Sequence, residues 1–246
     1  MSIPILIPLG TGSTHHNDEL RLALRSIERN AVDVGDVYLI TTSCPEWVDR
    51  TKLNVVPIPD IYKDCKDACL FHKVHETLRM HPEIGKFVFM ADDNAILKST
   101  VLSEIPNIHN HRPNSVFYCK NPSKWQMRVR RTLEWAKSLG VNLEHNFDAH
   151  CPALLDGELI RKRIGSFKYY PDSTNGKTII TAWRVVTDSW RDSQNQLDWK
   201  ETYEMPCTAR DVVFDKPFLG YNDVAFGGIR ERLFKEFPEP SRWENT

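Results

Sequence analysis

An apolar run meets three oxygen-bearing side chains in the stretch Phe87-Val88-Phe89-Met90-Ala91-Asp92-Asp93-Asn94-Ala95-Ile96-Leu97. Short apolar runs bounded by turn residues are typical of buried strands, so the Asp-Asp-Asn triplet lies where a strand ends. Two adjacent carboxylates repel each other and lose hydration when a strand end packs, and a divalent cation or a hydrogen-bond network offsets that cost. The triplet therefore predicts a metal-assisted nucleotide or nucleotide-sugar site, with an acidic turn as the alternative.

Strands and helices alternate around this stretch. Apolar runs predict strands at residues 3–9, 37–40, 54–58, 87–90, 116–119 and 212–214. Apolar residues at helical spacing predict helices at residues 17–31, 63–80, 101–105, 128–139, 154–164 and 224–237, and residues 179–186 fit either type. Asn17 is the expected cap of the first helix, and Gly140 ends the helix over residues 128–139. The alternation predicts an α/β fold with a mainly parallel sheet flanked by helices and a less regular C-terminal region.

Polar residues follow three of the predicted strands. Gly10, Thr11 and Gly12 come after the first strand, Thr41 after the second, and Asp92 after the strand at residues 87–90. Because ligand sites in open α/β sheets form beyond the carboxyl ends of the strands, we expect these residues at one edge of the sheet. The Gly-x-Gly loop lacks the lysine of a Walker motif and the third glycine of a dinucleotide motif, which argues against a kinase or an NAD enzyme.

Length, charge and residue composition exclude several classes of protein. The 246 residues carry a formal net charge of -1, so there is no global basic signature of nucleic-acid binding. Apolar runs are too short to cross a membrane, and the N-terminal apolar run is interpreted as a strand and not as a signal peptide. Six cysteines without paired spacing predict free thiols in a reducing cytosol and no structural zinc. The length and the lack of a linker favour a single domain over residues 1–246.

Cations and aromatic rings are interleaved in one segment, which spans residues 120–137. Its cations and indole rings are Lys120, Lys124, Trp125, Arg128, Arg130, Arg131, Trp135 and Lys137. A second basic and aromatic cluster spans residues 161–170. Cations track a phosphate backbone and rings stack on bases, so both clusters suit a phosphate-rich acceptor. The alternative for each is the solvated face of an amphipathic helix.

Four blocks occur in order along the chain: Asn17 to Glu28 followed by Val37 to Trp47, then Phe87 to Asp93, then Asp148 to Pro152, and finally Tyr221 to Phe226. Together they resemble the Stealth group within the broader GT-A class of nucleotide-sugar transferases. The Thr-Trp-Val-Asp-Gly segment that opens Stealth proteins is replaced by residues 7–13. Because the aspartate of that segment is absent, glycosyl transfer is favoured over sugar-phosphate transfer.

The resemblance implies a GT-A-like fold, with a nucleotide-sugar-binding half at residues 1–100 and an acceptor-side half at residues 101–246. It also implies a UDP-sugar donor and a Mn²⁺ or Mg²⁺ ion held by Asp92 and Asp93. The candidate nucleotide-sugar-binding residues are Leu9, Gly10, Thr11, Gly12, Arg21, Thr41, Lys73, Asp92 and Asn94. The alternative to a phosphate contact by Lys73 is a side chain that faces the solvent.

The candidate catalytic residues are His150, Asp223 and Asp93. Either His150 or Asp223 is expected to act as the general base or to position the acceptor. The alternatives are a histidine held in a capped turn for His150 and a helix N-cap for Asp223.

The chain also resembles the small DNA-glycosylating enzymes that bacteriophages encode. That likeness implies an acceptor hydroxyl on hydroxymethylated cytosine in double-stranded DNA, bound by Lys124, Trp125, Arg128, Arg130 and Arg131. We then expect a cytoplasmic protein, in the host cytoplasm for a phage enzyme, with no membrane partner. Two other functions stay open: a Stealth-type sugar-1-phosphate transferase acting on a glycan, and an inactive module that binds a nucleotide or a glycan.

Overall fold

The computed structural model describes residues 2–62, 66–163, 176–187, 192–203, 205–206 and 212–245. The helices in these ranges are α1 (Asp18–Asn30), α2 (Lys66–Met80), α3 (Lys124–Ser138), α4 (Gly157–Arg163), α5 (Gly176–Val186), α6 (Gln196–Trp199) and α7 (Asp223–Glu236). The strands are β1 (Ile3–Pro8), β2 (Ala31–Val32), β3 (Val34–Ile40), β4 (Asn54–Val56), β5 (Lys86–Phe89), β6 (Asn94–Ile96), β7 (Thr100–Val101), β8 (Asn107–His109), β9 (Ala153–Asp156), β10 (Ser193–Asn195), β11 (Lys200–Tyr203) and β12 (Phe218–Tyr221).

A five-stranded sheet forms the centre of the molecule, in the order β4-β3-β1-β5-β9. Its first four strands run parallel, and β9 pairs antiparallel with β5, with Phe89 opposite Ala153. The predicted α/β fold with a mainly parallel, Rossmann-like sheet flanked by helices is confirmed. The antiparallel direction of β9 brings the start of that strand to the edge where β5 ends.

Helices cover both faces of this sheet. On one face α1 packs through Leu20, Leu24 and other apolar residues against Ile5 and Ile7 of β1. On the other face α2, α4 and α5 pack against Leu6 of β1 and its neighbours. Because β1 is buried on both faces, its sequence is continuously apolar instead of alternating.

A smaller sheet, in the order β11-β12-β6, continues from the acidic triplet. Strand β12 pairs antiparallel with β6, with Gly220 opposite Asn94, and the backbone N–H of Tyr221 donates to the Asp93 carbonyl at 3.2 Å. The apolar face of α7 packs beside it through Phe226 and Ile229. The chain on either side of the two aspartates is therefore fixed by a sheet.

Three predicted elements differ in the structure. The strand predicted at residues 116–119 is wrong, because residues Asn114–Tyr118 form a 3-10 helix that buries Phe117. The helix predicted at residues 154–164 is wrong in its first part, where β9 fills the free edge of β5 before α4 begins. No strand forms at residues 212–214, which are described as irregular chain.

Other local predictions have mixed outcomes. Asn17 occupies the N-cap position at a φ of 60° without a side-chain cap, and the Ser13 hydroxyl accepts the Asn17 N–H at 3.0 Å instead. Residues 179–186 are helical within α5. Gly140 adopts a φ of 79° after α3, as a helix-ending glycine does.

Cys44, Cys69, Cys119 and Cys151 carry free thiols, whereas Cys65 and Cys207 lie outside the described residues. Across the ranges that the structure describes, no helix is long and apolar enough to cross a membrane.

Candidate active site

Asp92 and Asp93 lie just beyond the carboxyl end of β5, after Met90 and Ala91, and line a cleft of about 1100 Å³. The Asp93 Oδ1 atom lies 2.8 Å from Nε2 of His150, which precedes β9 and also lines the cleft. The pairing of β5 with β9 brings these two residues together, although 57 positions separate them in the sequence. The structure thus unites two of the three predicted catalytic residues.

The two aspartates have different electrostatic surroundings. Burial, followed by the charge of Asp93, raises the pKa of Asp92 to about 7. Burial also acts to raise the pKa of Asp93, but the charge and hydrogen bond of His150 outweigh it and lower that pKa. Near neutral pH Asp93 is therefore the charged member, whereas Asp92 is partly protonated unless a cation lies beside it.

Buried polar atoms lie behind the aspartates. No described residue offers a hydrogen-bond partner to Oε1 of Glu19 or to the Tyr221 hydroxyl. The other Glu19 oxygen, Oε2, accepts from the Ser13 hydroxyl at 2.9 Å. Burial, with the charges of Asp93, Glu19 and Asp92, raises the pKa of Tyr221 well above 10, so its phenol stays neutral.

Sequence analysis missed Glu19 and Tyr221 as members of the site. Both lie inside blocks that resemble Stealth proteins, but Glu19 also fits the first turn of α1, where an acidic residue is favoured by the helix dipole. Tyr221 resembles any buried strand residue. The available signal was position, since Tyr221 directly precedes the Asn-Asp pair of the last block.

The donor set fits a divalent cation that shares its coordination with a ligand. Within the described ranges no three His, Cys, Asp or Glu side chains are grouped closely enough to hold a metal by themselves. Mg²⁺ is usually bound by one or two carboxylates and completed by phosphate oxygens and water. Asp92 and Asp93 match that pattern, because the second oxygen of Asp93 is not needed for the bond to His150.

Gly220 holds the backbone of His150 in place. A Cβ atom at Gly220 would lie 2.6 Å from the His150 carbonyl oxygen, closer than a carbon and an oxygen can approach without movement. Lys177 fixes the same segment, because its ammonium donates to the carbonyls of Ala149 and Cys151 on either side of His150. The position of His150 therefore depends on close packing against β12 and on α5.

Gly220→Ala is expected to destabilise the protein by about 1–3 kcal/mol, because the added methyl group must displace the His150 carbonyl. Gly227→Ala is the matched control, since its Cβ would meet only the His15 ring at 4.0 Å and lies within α7. The control is expected to gain about 0.5–1 kcal/mol from helix propensity. Urea unfolding measures both, and equal stabilities of the two variants would contradict the packing argument.

The predicted donor residues Leu9 and Lys73 are engaged with each other. Lys73 is 1% exposed, and its ammonium donates to the Leu9 carbonyl at 2.7 Å and pairs with Asp60 at 2.8 Å. The alternative prediction, that the Lys73 side chain faces the solvent, is therefore wrong. The predicted phosphate contact would require Lys73 to leave both partners.

Five other predicted donor residues, in the loops after β1 and β3 and at the start of β6, do not belong to the described lining of the cleft. Thr11 and Gly12 are exposed in the loop after β1, with Gly10 half-buried beside them. Thr41 is buried, and its hydroxyl accepts from the Ser43 N–H at 3.1 Å. Asn94 is also buried, and its Nδ2 atom has no partner among the described residues.

Arg21 contacts other protein residues near the C-terminal segment and does not line the cleft. Its guanidinium lies 3.4 Å from Glu244 and 3.8 Å from Asp18, and it stacks over the Trp47 ring at 4.6 Å. These contacts join α1 to residues 47 and 244. The geometry gives Arg21 a structural role at that place.

Asp223 is exposed at the start of α7 and does not line the cleft. The N-cap is Asn222, whose side chain accepts from the Ala225 N–H at 3.0 Å. The alternative of an N-cap at Asp223 is therefore wrong by one residue. Asn222 does line the cleft, next to the two aspartates.

Of the predicted acceptor residues on α3, only Trp125 belongs to the described lining of the cleft. Trp125 lines the cleft, and its indole N–H donates to the Asp148 carboxylate. Arg128 pairs with Asp67 and Arg130 pairs with Glu134, each at 2.9 Å. Lys124 is exposed and Arg131 is half-buried, and neither belongs to the described wall of the cleft.

In the second basic cluster, Arg161 donates to the Ile84 carbonyl at 3.0 Å, and Lys162 pairs with Glu158 at 2.5 Å. Residues 164–170 of that cluster lie outside the described residues.

Comparison with known proteins gives a partial likeness. No family model matches the sequence. The chain is 31% identical over 83 residues to the N-acetylglucosamine-1-phosphotransferase subunits alpha/beta of Mus musculus, and 30% identical over 83 residues to those of Homo sapiens. Each match covers 31% of this chain and 7% of the relative. The chain thus shows weak, partial homology to a segment of a sugar-1-phosphate transferase.

Proposed function

We propose that this protein is a transferase that takes a sugar from a nucleotide-sugar, with UDP as the carrier, and moves it to a hydroxyl group. One observation carries the proposal: the bonded pair of Asp93 and His150 lies beside Asp92 at the carboxyl edge of a mainly parallel sheet and faces a large cleft. The partial likeness to N-acetylglucosamine-1-phosphotransferase supports a transferase.

His150 is the proposed general base. When its Nε2–H donates to Asp93, the second ring nitrogen, Nδ1, is left to accept the proton of an acceptor hydroxyl. The charged Asp93 carboxylate orients the imidazole and stabilises the positive charge that the ring acquires. Lys177 keeps the backbone around His150 in place during the transfer.

The proposal includes a Mn²⁺ or Mg²⁺ ion bound at Asp92 and Asp93. Such an ion supplies neutralisation of the diphosphate charge, which lowers the barrier by several kcal/mol. Asp92 would lose its proton as the cation binds, because the cation outweighs the burial that favours the neutral acid. The loop after β1, with Gly10 and Thr11, is the proposed place for the nucleoside.

The likeness to N-acetylglucosamine-1-phosphotransferase favours a second candidate, sugar-1-phosphate transfer. The two reactions break different bonds. Glycosyl transfer breaks the bond between the anomeric carbon and the diphosphate oxygen and releases UDP. Sugar-phosphate transfer breaks the bond between the two phosphates and releases UMP.

The test is to incubate the protein with a panel of nucleotide-sugars, Mn²⁺ and two acceptors, an oligosaccharide and duplex DNA that contains hydroxymethylated cytosine. Release of UDP with a product heavier by one sugar supports glycosyl transfer. Release of UMP with a product heavier by a sugar phosphate supports the second candidate. Binding of nucleotide without release from any donor would favour an inactive binding module.

For the acceptor, we keep hydroxymethylated cytosine in DNA as part of the proposal. Trp125 in the cleft wall supports it, since an indole can stack on a base. Arg128 and Arg130 support it less, because carboxylates already neutralise them. Binding of duplex DNA should weaken steeply from low to physiological salt, and binding indifferent to salt would contradict a DNA acceptor.

A further inference from the structure

Lys66 is the first residue of α2 and lines the same cleft as Asp92 and Asp93. Four carboxylates attract its ammonium, those of Asp93, Asp92, Asp223 and Asp67. Burial alone would lower the pKa of Lys66, but this attraction outweighs burial and raises it. Lys66 is thus held as a cation beside the two aspartates.

The other cations of the cleft wall are placed differently. Lys177 is bonded to two backbone carbonyls, and the Arg112 guanidinium stacks 5.5 Å above the Trp125 ring. Lys200 is 5% exposed. Lys66 is exposed at the cleft surface and takes part in no ion pair within the described ranges, so only the longer-range attraction of the carboxylates acts on it there.

Two buried polar atoms near the same aspartates add a second observation. The Tyr221 hydroxyl and Oε1 of Glu19 have no partner among the described residues, and both residues interact electrostatically with Asp92. A buried hydroxyl without a hydrogen bond is costly, so such groups are expected to be completed by something that binds. The surroundings of Asp92 and Asp93, which share the cleft with Lys66, therefore have the polar chemistry of a binding site.

We propose that Lys66 binds the diphosphate group of the donor, and that its ammonium competes with a divalent cation for the aspartates until the diphosphate draws it away. The inference rests on the proposed function for the identity of the donor. Its physical basis is charge: a cation near Asp92 and Asp93 repels a divalent ion and attracts phosphate oxygens. Lys66 consequently affects metal and diphosphate affinity in opposite directions.

The experiment compares Lys66→Met, which keeps the length of the side chain, with Lys66→Arg, which keeps the charge. Lys235→Met is the charge-matched control, because Lys235 lies in the last turn of α7, twelve residues and about 18 Å along the helix from Asp223. Calorimetry measures three ligands on each variant: Mn²⁺ alone, inorganic pyrophosphate with Mn²⁺, and UDP with Mn²⁺. Circular dichroism and thermal unfolding establish that each variant is folded.

Lys66→Met is expected to weaken pyrophosphate and UDP about 10- to 100-fold and to bind Mn²⁺ alone as tightly as the wild type or more tightly. Lys66→Arg and Lys235→Met should bind all three ligands like the wild type. Equal pyrophosphate affinity in Lys66→Met and the wild type would overturn the proposal. So would weaker binding of Mn²⁺ alone, since that result indicates a structural role for Lys66.

The same data separate this inference from the proposed function. A wild type that binds pyrophosphate through Lys66 but does not bind UDP would contradict the nucleotide-sugar donor and support the role of Lys66. A wild type that binds UDP equally well with and without Lys66 would support the donor and overturn the role of Lys66. A wild type that binds neither ligand would overturn both.

Discussion

Replacing His150 with Ala is expected to lower turnover about 10²- to 10⁴-fold and to leave UDP affinity unchanged. In the proposed mechanism the imidazole accepts the acceptor proton only as the bond forms, while a metal ion on Asp92 and Asp93 and the loop after β1 hold the nucleotide. Steady-state kinetics with the active donor from the panel gives the turnover, and calorimetry gives the UDP affinity. The effect on kcat should exceed any effect on KM for the donor.

The control for His150 is His81→Ala. The two histidines are alike in exposure, with 38% of the His150 side chain and 32% of the His81 side chain accessible, and each is bonded to a carboxylate, Asp93 or Glu83. His81 lies beyond the end of α2 and does not line the cleft. Loss of turnover in both variants, or full turnover in His150→Ala, would contradict a general base at His150.

Asp92→Asn has the second largest expected effect, and it acts on activity and stability in opposite directions. Turnover should fall about 10²- to 10⁴-fold, because an amide binds a divalent cation far less well and the diphosphate charge is then not neutralised. The free energy of unfolding of the metal-free protein should rise above about pH 7, because the substitution removes the buried charge that Asp92 acquires there and that Asp93 repels. Chemical unfolding in a chelator and kinetics with Mn²⁺ measure the two effects.

The pH dependence of stability follows from the same group. The pKa of Asp92 is raised in the folded protein from its ordinary value of 3.8 to about 7, so the unfolded chain releases this proton more readily than the folded one. The contribution of Asp92 to metal-free stability therefore decreases as pH rises between these two values. Asp92→Asn should remove that decrease, whereas Asp36→Asn, on the exposed part of β3, should retain it. An unchanged pH profile in Asp92→Asn would contradict the raised pKa.

The fold was largely predictable because its central strands are continuously apolar. Burial on both faces leaves β1 and the part of β5 after Lys86 no polar positions, and the acidic pair follows two residues after β5. The start of β9 was not predictable in the same way. Leu154 and Leu155 continue into the helical pattern of α4, and only the free edge of β5 makes them a strand.

The candidate site was also predictable from the sequence only in part. The aspartates follow from local sequence, but the partner of Asp93 is 57 residues away, and only the resemblance to a family indicated His150. Lys73 was misjudged because its partner Leu9 is 64 residues away in the sequence. Lys66 carries no motif, and its place in the same cleft as Asp92 and Asp93 is visible only in the folded chain.

The antiparallel pairing of β5 with β9 has a consequence for how such a protein can diversify. Asp93 and His150 follow and precede adjacent ends of two neighbouring strands, with Phe89 opposite Ala153. The chain between them makes a long excursion that includes α3 and returns to the same point. Its first residues, β6, pair with β12, so the aspartates depend on them, whereas α3 with Trp125 does not contribute to that pairing. Under the proposed function, α3 could therefore change the acceptor while the pair of Asp93 and His150 keeps its place.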